Sequence, residues 1–322
     1  MATSNIALAD RFNDGGYEQG LSEVLRGLLY IPRQLSHVWL YDERGCRLFE
    51  KICQLPEYYL TRVETAIMRV SSAAMAEAIG ADITLIEFGS GDGAKTRLLL
   101  DALAQPRQYV PVDIAASSLA RTARALQRDY PQVKVLPVRA DFTRPIELPP
   151  LSAAARTVIY FPGSTLGNYS PSDALRLLRL MRDLAGNDGM ALIGFDLVKD
   201  RSLLERAYND AQGVTAEFNL NALRHINRRL GVGFDVSHFR HRAQWFAGEQ
   251  RIEMHLISTV NQTLRVGAVA IRMLRGDFIR TEYCHKYTIA GFASLAAQAG
   301  WSLREGWSDE NQWFRVQLLA SS

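Results

Sequence analysis

The spacing of hydrophobic residues changes along the 322-residue chain and divides it into distinct predicted segments. Residues 18–77 carry apolar side chains at helical spacing, as in LSEVLRGLL and RLFEKICQL. Proline lacks a backbone N–H and ends or displaces a helix, and it occurs in the intervening stretches IPRQL and LPEYYLTR. This first segment is therefore predicted to be mostly helical, with breaks at these two stretches.

From residue 83 the pattern becomes one of short apolar runs that alternate with amphipathic helices. The runs are ITLIEF, YVPVD, VKVLPV, TVIYFP and GMALIGFDL, and the helices include AKTRLLLDAL, ASSLARTARALQRDY and PSDALRLLRLMRDL. Near-continuous apolar strands separated by helices are typical of a parallel sheet that is covered on both faces. Ser170 before Pro171, with Asp173 in the first turn, predicts the start of the last of these helices.

After Asp196 a helical block, SLLERAYNDAQGVTAEFNLNALRHINRRL, precedes alternating strands from about Phe234 to Tyr287. These strands have no helix between them, so we expect them to be antiparallel. They would form an insertion in the α/β domain, with the N-terminal helices packed against it. A helix (IAGFASLAAQAG) and two strands (WSLREGW and WFRVQLLAS) are predicted to complete an open sheet with an antiparallel edge.

Composition limits the possible partners, metal sites and cellular location of the protein. A net charge of +3 with 22% charged residues gives no global electrostatic case for nucleic acid or an anionic membrane. Cys46, Cys53 and Cys284 are too few and too scattered for a disulfide framework or a cysteine-rich zinc site. The start, MATSNIALADRFNDGG, lacks a basic region and a long apolar run. We therefore expect a cytoplasmic protein with no metal, no membrane partner and no nucleic acid, and a monomer in the absence of an obvious association helix.

The first predicted strand runs into a glycine-rich loop, EFGSGDGAK, that precedes a helix. Gly89, Gly91 and Gly93 would let the backbone approach a ligand closely, and the helix N-terminus offers free N–H groups. Because Ala94 also permits a G-x-G-x-x-A pattern, a dinucleotide-binding oxidoreductase is an alternative at this point.

Two further strand ends carry residues suited to a nucleoside. Asp113 ends the second strand, where a carboxylate can accept hydrogen bonds from both ribose hydroxyls. Asp141 and Phe142 follow the third strand and suit an adenine, with the carboxylate for its amine and the ring beside it. With Glu87 just before the glycine loop, these loops resemble those of the class I methyltransferases that bind S-adenosylmethionine.

The fourth strand and the stretch TEYCHKY supply candidate substrate contacts. The fourth strand ends in YFPGSTLGNYSP, where Gly163 and Asn168 lie in a turn that faces the expected methyl group. Read as a strand, TEYCHKY places Glu282, Cys284 and Lys286 on one face. That face is either a surface ion pair between Glu282 and Lys286 or the polar wall of a pocket.

The chain resembles the histidine-specific N-α-methyltransferases of ergothioneine biosynthesis from about Trp39 to its C-terminus. The resemblance rests on WLYDERGCRLFEKICQLPEYYLTRVE, EFGSGDGAKTRLLLDAL, PGSTLGN, GFDLVKD, ERAYNDAQGVTAEFN, QRIEMHL and TEYCHKY, in that order. It implies an α/β fold: a class I methyltransferase Rossmann-like sheet, mostly parallel with a C-terminal antiparallel hairpin, plus an α+β substrate-binding domain. It also implies three methyl transfers from S-adenosylmethionine to the α-amino group of L-histidine, through mono- and dimethylated forms, to give hercynine.

The resemblance also implies a domain plan and two sets of binding residues. Residues 1–60 would be the helical part of the substrate domain, 61–196 the methyltransferase core, 197–286 the inserted substrate-binding segment and 287–322 the return to the core. The cofactor would contact Tyr58, Gly89, Lys95, Asp113, Asp141 and Phe142. The substrate would contact Tyr58, Gly163, Asn168, Tyr208, Met254, Glu282 and Cys284.

Within the second set, the resemblance assigns individual roles. Asn168 and Tyr208 would bind the substrate carboxylate, Tyr41 would approach the α-amine, and Glu282 with Cys284 would hold the imidazole. Tyr41 and Tyr58 are the catalytic candidates, because a phenol can accept a hydrogen bond from an ammonium without adding a formal charge. Neither is assigned as a general base.

One departure from the family leaves the substrate open. Many relatives have serine where this chain has Cys284, and a thiol is a weaker donor than a hydroxyl. α-N-Methylation of another amino acid, such as tryptophan or a thiolated histidine, is the nearest alternative.

The basic and aromatic residues between Arg224 and Phe246 raise a second alternative, an RNA methyltransferase. A protein that only binds the cofactor or an amino acid is the third.

Overall fold

The computed structural model describes residues 16–91, 93–113, 116–152 and 155–322. Its helices in these ranges are α1 (Gly16–Leu29), α2 (Glu43–Ile52), α3 (Tyr59–Ile79), α4 (Ala94–Ala102), α5 (Ala116–Asp129), α6 (Pro171–Ala185), α7 (Arg201–Tyr208), α8 (Val214–Leu230) and α9 (Ile289–Gln298). Its strands are β1 (Ile83–Phe88), β2 (Gln108–Asp113), β3 (Lys134–Val135), β4 (Val138–Arg139), β5 (Arg156–Phe161), β6 (Met190–Asp196), β7 (Phe239–Phe246), β8 (Arg251–Ser258), β9 (Gln262–Val266), β10 (Val269–Met273), β11 (Phe278–His285), β12 (Trp301–Ser308) and β13 (Phe314–Ser321).

The central sheet has the order β12-β13-β6-β5-β1-β2-β3, with β4 also paired to β2. Strands β6, β5, β1, β2 and β3 are parallel, whereas β13 is antiparallel to both β6 and β12. The predicted mostly parallel sheet with a C-terminal hairpin is confirmed. Each loop that follows a parallel strand therefore reaches the same edge of the sheet.

The predicted antiparallel edge is the pair β12–β13, in which β12 is outermost and β13 lies one position inside. The outermost strand, β12, runs in the same direction as the parallel strands. Burial explains the order: β13 is buried along most of its length, whereas β12 is largely half-buried or exposed. The more apolar strand of the hairpin thus takes the interior position.

The predicted third strand, VKVLPV, is divided into β3 and β4. Pro137 lies between them and has no backbone N–H for the ladder, so the pairing with β2 is interrupted there. The helix expected after Ser170 is confirmed, since the Ser170 hydroxyl accepts a hydrogen bond from the Asp173 backbone N–H at 3.2 Å.

The segment after β6 is antiparallel, as predicted, but it forms two sheets. Strands β11, β8 and β7 make one sheet, and β9 with β10 makes a separate ribbon. The predicted helical block is broken between Asn209 and Gly213, which has a φ of +69° and starts α8. A positive φ at this position favours glycine.

The N-terminal helices and the inserted segment share one hydrophobic core. Val24 and Leu28 of α1 and the buried Trp39 belong to the same cluster as Leu223 and Ile226 of α8.

The break predicted at LPEYYLTR is shorter than expected, because α3 already begins at Tyr59. Among the described ranges, no helix combines the length and apolar character needed to cross a membrane.

Candidate active site

A cavity of about 380 Å³ lies where the glycine loop, the turn after β5, the N-terminal segment and the inserted strands meet. Its lining contains most of the residues that the sequence assigned to cofactor and substrate. They are Tyr41, Tyr58, Gly89, Lys95, Gly163, Asn168, Tyr208, Met254, Glu282 and Cys284.

A second cavity of about 660 Å³ contains Asp141 and Phe142. Asn168 and Glu282 line both cavities, so the two spaces adjoin each other. Asp113 lies outside both linings and is buried at the last residue of β2. The expected nucleoside contacts are thus divided between the second cavity and the end of β2.

The glycine loop has the backbone conformation that its sequence predicts. Gly89, Gly91 and Gly93 have φ angles of +78°, +52° and +71°. A side chain at any of them would strain the backbone, so the loop depends on glycine. Gly93 is also the residue from which α4 starts, which directs the first N–H groups of the helix toward the cavity edge.

Glu87 supports this loop from the end of β1. Its carboxylate accepts hydrogen bonds from the Thr96 hydroxyl at 2.7 Å and from the Tyr109 hydroxyl. Burial raises its pKa to about 7, although both hydrogen bonds act in the opposite direction. The side chain therefore connects β1, β2 and α4 directly beneath the glycine loop.

Glu64 is a site residue that the sequence analysis missed. It comes from α3, is only 1% exposed and forms an ion pair with Lys95. The Gly163 backbone N–H donates to both carboxylate oxygens, at 2.9 and 3.1 Å. Gly194 makes room for it, because a Cβ there would lie 2.2 Å from Glu64 Oε1. One signal was available: an acid at helical spacing among the apolar residues of α3.

Tyr41 and Glu282 meet across the cavity. The Tyr41 hydroxyl donates a hydrogen bond of 3.3 Å to Glu282 Oε1. Burial raises the pKa of Glu282 to about 7, and the bond from Tyr41 and the positive charge of Lys286 partly offset this. The pKa of Tyr41 is well above its usual value, first because of burial and then because of Glu282. Tyr41 thus stays protonated and keeps its oxygen lone pairs available as acceptors.

Aromatic rings form one wall of the cavity. Tyr41 lies edge-on to Phe49 and to Phe218, with ring centroids 5.9 and 5.2 Å apart. Tyr58 lies edge-on to Phe49 at 6.1 Å and to Tyr208 at 5.9 Å. Neither Phe49 nor Phe218 was predicted from the sequence to line the site. The faces of such rings attract cations, so a ring face turned into the cavity would favour a positively charged amine.

Lys286 does not form the ion pair with Glu282 that the strand pattern allowed. Its Nζ lies 2.9 Å from Asp196 Oδ2 and donates to the Tyr208 hydroxyl at 2.9 Å and to Cys284 Sγ at 3.3 Å. Strand β11 ends at His285, so Lys286 leaves the strand and turns toward the end of β6. Glu282 and Cys284 remain in the cavity lining, as the pocket-wall alternative predicted.

Asp196 is the centre of a buried charged network that the sequence analysis also missed. Besides Lys286, it binds Lys199 through Oδ1 at 2.6 Å and accepts from the Tyr59 hydroxyl through Oδ2 at 2.8 Å. Its backbone N–H donates to the Ser164 hydroxyl at 3.0 Å. Burial lowers the pKa of Lys199 to about 8. The network connects the last residue of β6 to α3 and to the turn after β5.

The basic stretch that suggested RNA is largely engaged within the fold. Arg224 donates to Glu217 at 3.1 Å, and Arg228 forms an ion pair with Asp42. His241 lies 2.8 Å from the Tyr208 carbonyl oxygen. Arg224 and His241 thus contact residues of the inserted segment itself, whereas Arg228 joins α8 to Asp42 at the start of α2.

Comparison with known proteins places this geometry in a family. Residues 21–321 match the model of the histidine-specific, S-adenosylmethionine-dependent methyltransferases. The chain is 40% identical over 312 residues to the histidine N-alpha-methyltransferase of Mycobacterium tuberculosis, covering 95% of this chain and 96% of that protein. The chain belongs to the histidine-specific methyltransferase family.

Other relatives are consistent with that membership. The histidine N-alpha-methyltransferase of Mycolicibacterium smegmatis is 38% identical over 310 residues, covering 95% of this chain and 96% of that protein. Ergothioneine biosynthesis protein 1 of Neurospora crassa is 32% identical over 298 residues, covering 90% of this chain and 33% of that larger protein. The chain is therefore an S-adenosylmethionine-dependent N-methyltransferase.

The residues present fit S-adenosylmethionine. The left-handed glycines leave room for close approach of a ligand to the backbone, and Asp113 provides a buried carboxylate at the next strand end. In the second cavity, Phe142 stacks on Phe88 with centroids 5.2 Å apart, which fixes its ring beside the space an adenine would need. A dinucleotide-binding oxidoreductase is no longer supported, because the family match covers nearly the whole chain.

Proposed function

We propose that this protein transfers three methyl groups from S-adenosylmethionine to the α-amino group of L-histidine and so produces hercynine for ergothioneine biosynthesis. The observation that carries the proposal is the buried Glu282 beside Tyr41 in the cavity that the glycine loop also lines. A buried acid selects a side chain with a hydrogen-bond donor, and imidazole supplies one. S-Adenosylmethionine carries the methyl group on a positively charged sulfur. The lone pair of the amine attacks the methyl carbon in line, and the sulfur leaves as the neutral thioether of S-adenosylhomocysteine.

The cofactor contacts follow from the positions of the strand ends. Gly89 and Lys95 line the first cavity, where Lys95 is held by Glu64, and they would take the amino acid end of the cofactor. Asp113 would bind the ribose, and Asp141 with Phe142 would bind the adenine. Tyr58 lines the first cavity at the junction with the substrate residues.

The substrate contacts would hold histidine at both ends. Asn168 and Tyr208 would bind its carboxylate, while Glu282 and Cys284 would bind its imidazole. Met254 is buried and lies directly across the strand pair from Glu282, so it would pack against the ring. Gly163 would line the passage between the cofactor and the amine.

The chain's own residues do little acid–base work in this scheme. The pKa values of Tyr41 and Tyr58 are both well above their usual value because of burial, so neither forms a phenolate near neutral pH. We propose that their oxygens accept hydrogen bonds from the α-amine and orient its lone pair. The aromatic wall stabilises the positive charge that the nitrogen carries after methylation.

The domain plan remains part of the proposal. Residues 1–60 and 197–286 would form the substrate domain, and residues 61–196 with 287–322 would form the methyltransferase core. The shared hydrophobic core of α1, α2 and the inserted segment supports this division. We also retain a cytoplasmic monomer as the expected state, which light scattering of the purified protein would test.

A competition assay with radiolabelled methyl donor tests the substrate. The purified protein receives L-histidine, L-tryptophan, a thiolated histidine or L-leucine, and the label transferred to each amino acid is measured. The proposal predicts strong labelling of histidine and little labelling of leucine. Preference for tryptophan or the thiolated histidine would redirect the proposal to another amino acid. Tight cofactor binding without transfer to any amino acid would indicate a binding protein instead.

A further inference from the structure

Lys286 lies behind the cavity and yet contacts residues assigned to both ends of the substrate. It is buried, with a side chain 0% exposed, and it lies outside the cavity lining. Its three closest polar partners are Asp196 Oδ2, the Tyr208 hydroxyl and Cys284 Sγ, at 2.9, 2.9 and 3.3 Å. An ammonium has three N–H donors, so these partners account for all of them.

The direction of these bonds constrains the two cavity residues. A lysine ammonium can only donate, so the Tyr208 oxygen and the Cys284 sulfur must both be acceptors toward it. Their own hydrogens consequently point away from Lys286. Burial, followed by the proximity of Cys284, raises the pKa of Tyr208 well above its usual value, so the phenol keeps its proton. Both side chains line the cavity. Within the protein the Tyr208 phenol shares a hydrogen bond with Cys284, and the Cys284 thiol points to the His285 carbonyl oxygen at 4.0 Å. Sulfur is a weak partner on both counts, so a bound amino acid can take over these hydrogens.

We infer that Lys286 is a positioning residue that sets Tyr208 and Cys284 as hydrogen-bond donors toward the bound amino acid. The inference rests on the proposed function, in which Tyr208 receives the carboxylate and Cys284 the imidazole. A carboxylate only accepts hydrogen bonds, so it gains from a phenol whose oxygen is already occupied by a cation. The same ammonium polarises the thiol and strengthens it as a donor, which compensates for the absence of a serine hydroxyl at this position.

Asp196 fixes the lysine in place. It ends β6 and also binds Lys199, and the Lys286 ammonium lies over the Tyr208 ring, 4.9 Å from its centroid. The lysine is thus held by a charge on one side and a ring on the other. A residue that only stabilised the fold through Asp196 would not need its two remaining donors on cavity residues.

The first test compares two ligands that differ only at the carboxylate. The dissociation constants of L-histidine and L-histidinamide are measured by calorimetry with S-adenosylhomocysteine present, for the wild type and for Lys286→Met. We expect the wild-type preference for histidine to fall by about tenfold or more in Lys286→Met, because a charge-assisted hydrogen-bond arrangement is lost. An equal loss of affinity for both ligands would reduce Lys286 to a structural role.

Lys199→Met is the matched control. It removes the other lysine bound to Asp196 but leaves the contacts of Lys286 with Tyr208 and Cys284 unchanged. We expect this variant to retain the wild-type preference for histidine over histidinamide. A drop as large as that of Lys286→Met would show that the charge of the Asp196 network, rather than the position of Lys286, controls the preference. Lys286→Met combined with Asp196→Asn serves if the single variant does not fold.

A second measurement needs no variant. In wild-type protein labelled with ¹⁵N-lysine, the buried Lys286 ammonium should exchange slowly enough to be observed by NMR. Its signal should shift when L-histidine binds and shift much less with L-histidinamide. An identical response to both ligands would contradict the inference. A wild type that binds neither ligand would instead overturn the proposed function, so the two failures are distinguishable.

Discussion

The Tyr41 hydroxyl donates a 3.3 Å hydrogen bond to Glu282 Oε1 and so joins the N-terminal segment to β11 across the cavity. The two residues are 241 positions apart in the chain. Both side chains line the first cavity, in which we propose that the histidine ring is bound. Glu282 is a buried acid in the cavity that the glycine loop also lines, and its hydrogen-bond partner Tyr41 is neutral. The proposed recognition of histidine depends mainly on this residue.

Replacing Glu282 should remove most of the preference for histidine. At pH 8, where Glu282 is ionised, Glu282→Ala deletes the charge-assisted hydrogen bond to the imidazole, worth on the order of 1.5–3 kcal/mol, or about 10–100-fold in the ratio of kcat/KM for histidine over leucine. The ratio is measured by methyl transfer from labelled cofactor. Glu253→Gln is the control, since Glu253 is a buried acid on β8 that binds His255 at 2.8 Å outside both cavities. An unchanged ratio in Glu282→Ala would contradict the assignment.

The raised pKa of Glu282 predicts how stability depends on pH. The folded state holds this proton until about pH 7, whereas an unfolded glutamate releases it near its ordinary value of 4.5. The folded state therefore binds more protons between these values, and stability contributed by the protonated acid is lost as pH rises from about 4.5 to 7. For a shift of this size the loss is on the order of 3 kcal/mol.

Chemical unfolding of the ligand-free protein at pH 5 and pH 8 measures this effect. Glu282→Gln keeps an acceptor for Tyr41 and cannot ionise, so its stability should decline less than that of the wild type over the same interval. Glu87 has a similar pKa and is unchanged in both proteins, so its contribution cancels. Equal declines in the two proteins would mean that folding does not raise the pKa of Glu282.

Glu64 should prove essential for the cofactor side of the cavity. Glu64→Ala leaves Lys95 and the Gly163 N–H without their buried acceptor, which should cost on the order of 3–5 kcal/mol of stability. Binding of S-adenosylhomocysteine, measured by calorimetry, should weaken as well. Glu64→Gln retains an acceptor for Gly163 and should be less severe.

Glu43→Ala is the control for that experiment. Glu43 forms an ion pair with Arg47 one helical turn away, but its side chain is 85% exposed. The change should alter stability by less than about 1 kcal/mol. Glu64→Ala with no greater effect than Glu43→Ala would exclude Glu64 from the support of the site.

Gly167 should be intolerant of a side chain because it lies against β11. A Cβ there would lie 2.5 Å from the His285 carbonyl oxygen and 3.2 Å from Cys284 Sγ. Gly167→Ala should therefore displace Cys284 and weaken histidine binding, at a stability cost of about 1–3 kcal/mol. Gly248→Ala, with no atom within 4 Å of its Cβ, should leave both quantities unchanged. Wild-type histidine affinity in Gly167→Ala would contradict this close packing.

Strands and loops of the core were predictable because their signals are local. ITLIEF is a continuous apolar run and becomes β1 at the predicted residues, and the glycine loop that follows has the positive φ angles expected of it. The local pattern was insufficient where a second segment decides the outcome. Pro137 interrupts pairing only because β2 is its neighbour, and β13 takes the interior position because β12 is less apolar.

The site was predictable only in part, for the same reason. Glu282 and Cys284 share a face of TEYCHKY and line the cavity, as strand alternation suggested. An ion pair between Lys286 and Glu282 was one of two alternatives. Lys286 instead binds Asp196 at the end of β6, and the local sequence contains no sign of this partner. Glu64 was missed because its partners lie in the first turn of α4 and in the turn after β5. Long-range pairing of this kind becomes visible only in the folded chain.

The most direct test of the central claim is mass spectrometry of a reaction that contains the purified protein, L-histidine and S-adenosylmethionine. We expect a product heavier than histidine by three methyl groups, with fragmentation placing all of them on the α-nitrogen and leaving the imidazole unmodified. Histidine that gains no methyl group, or gains one on the ring, would contradict it.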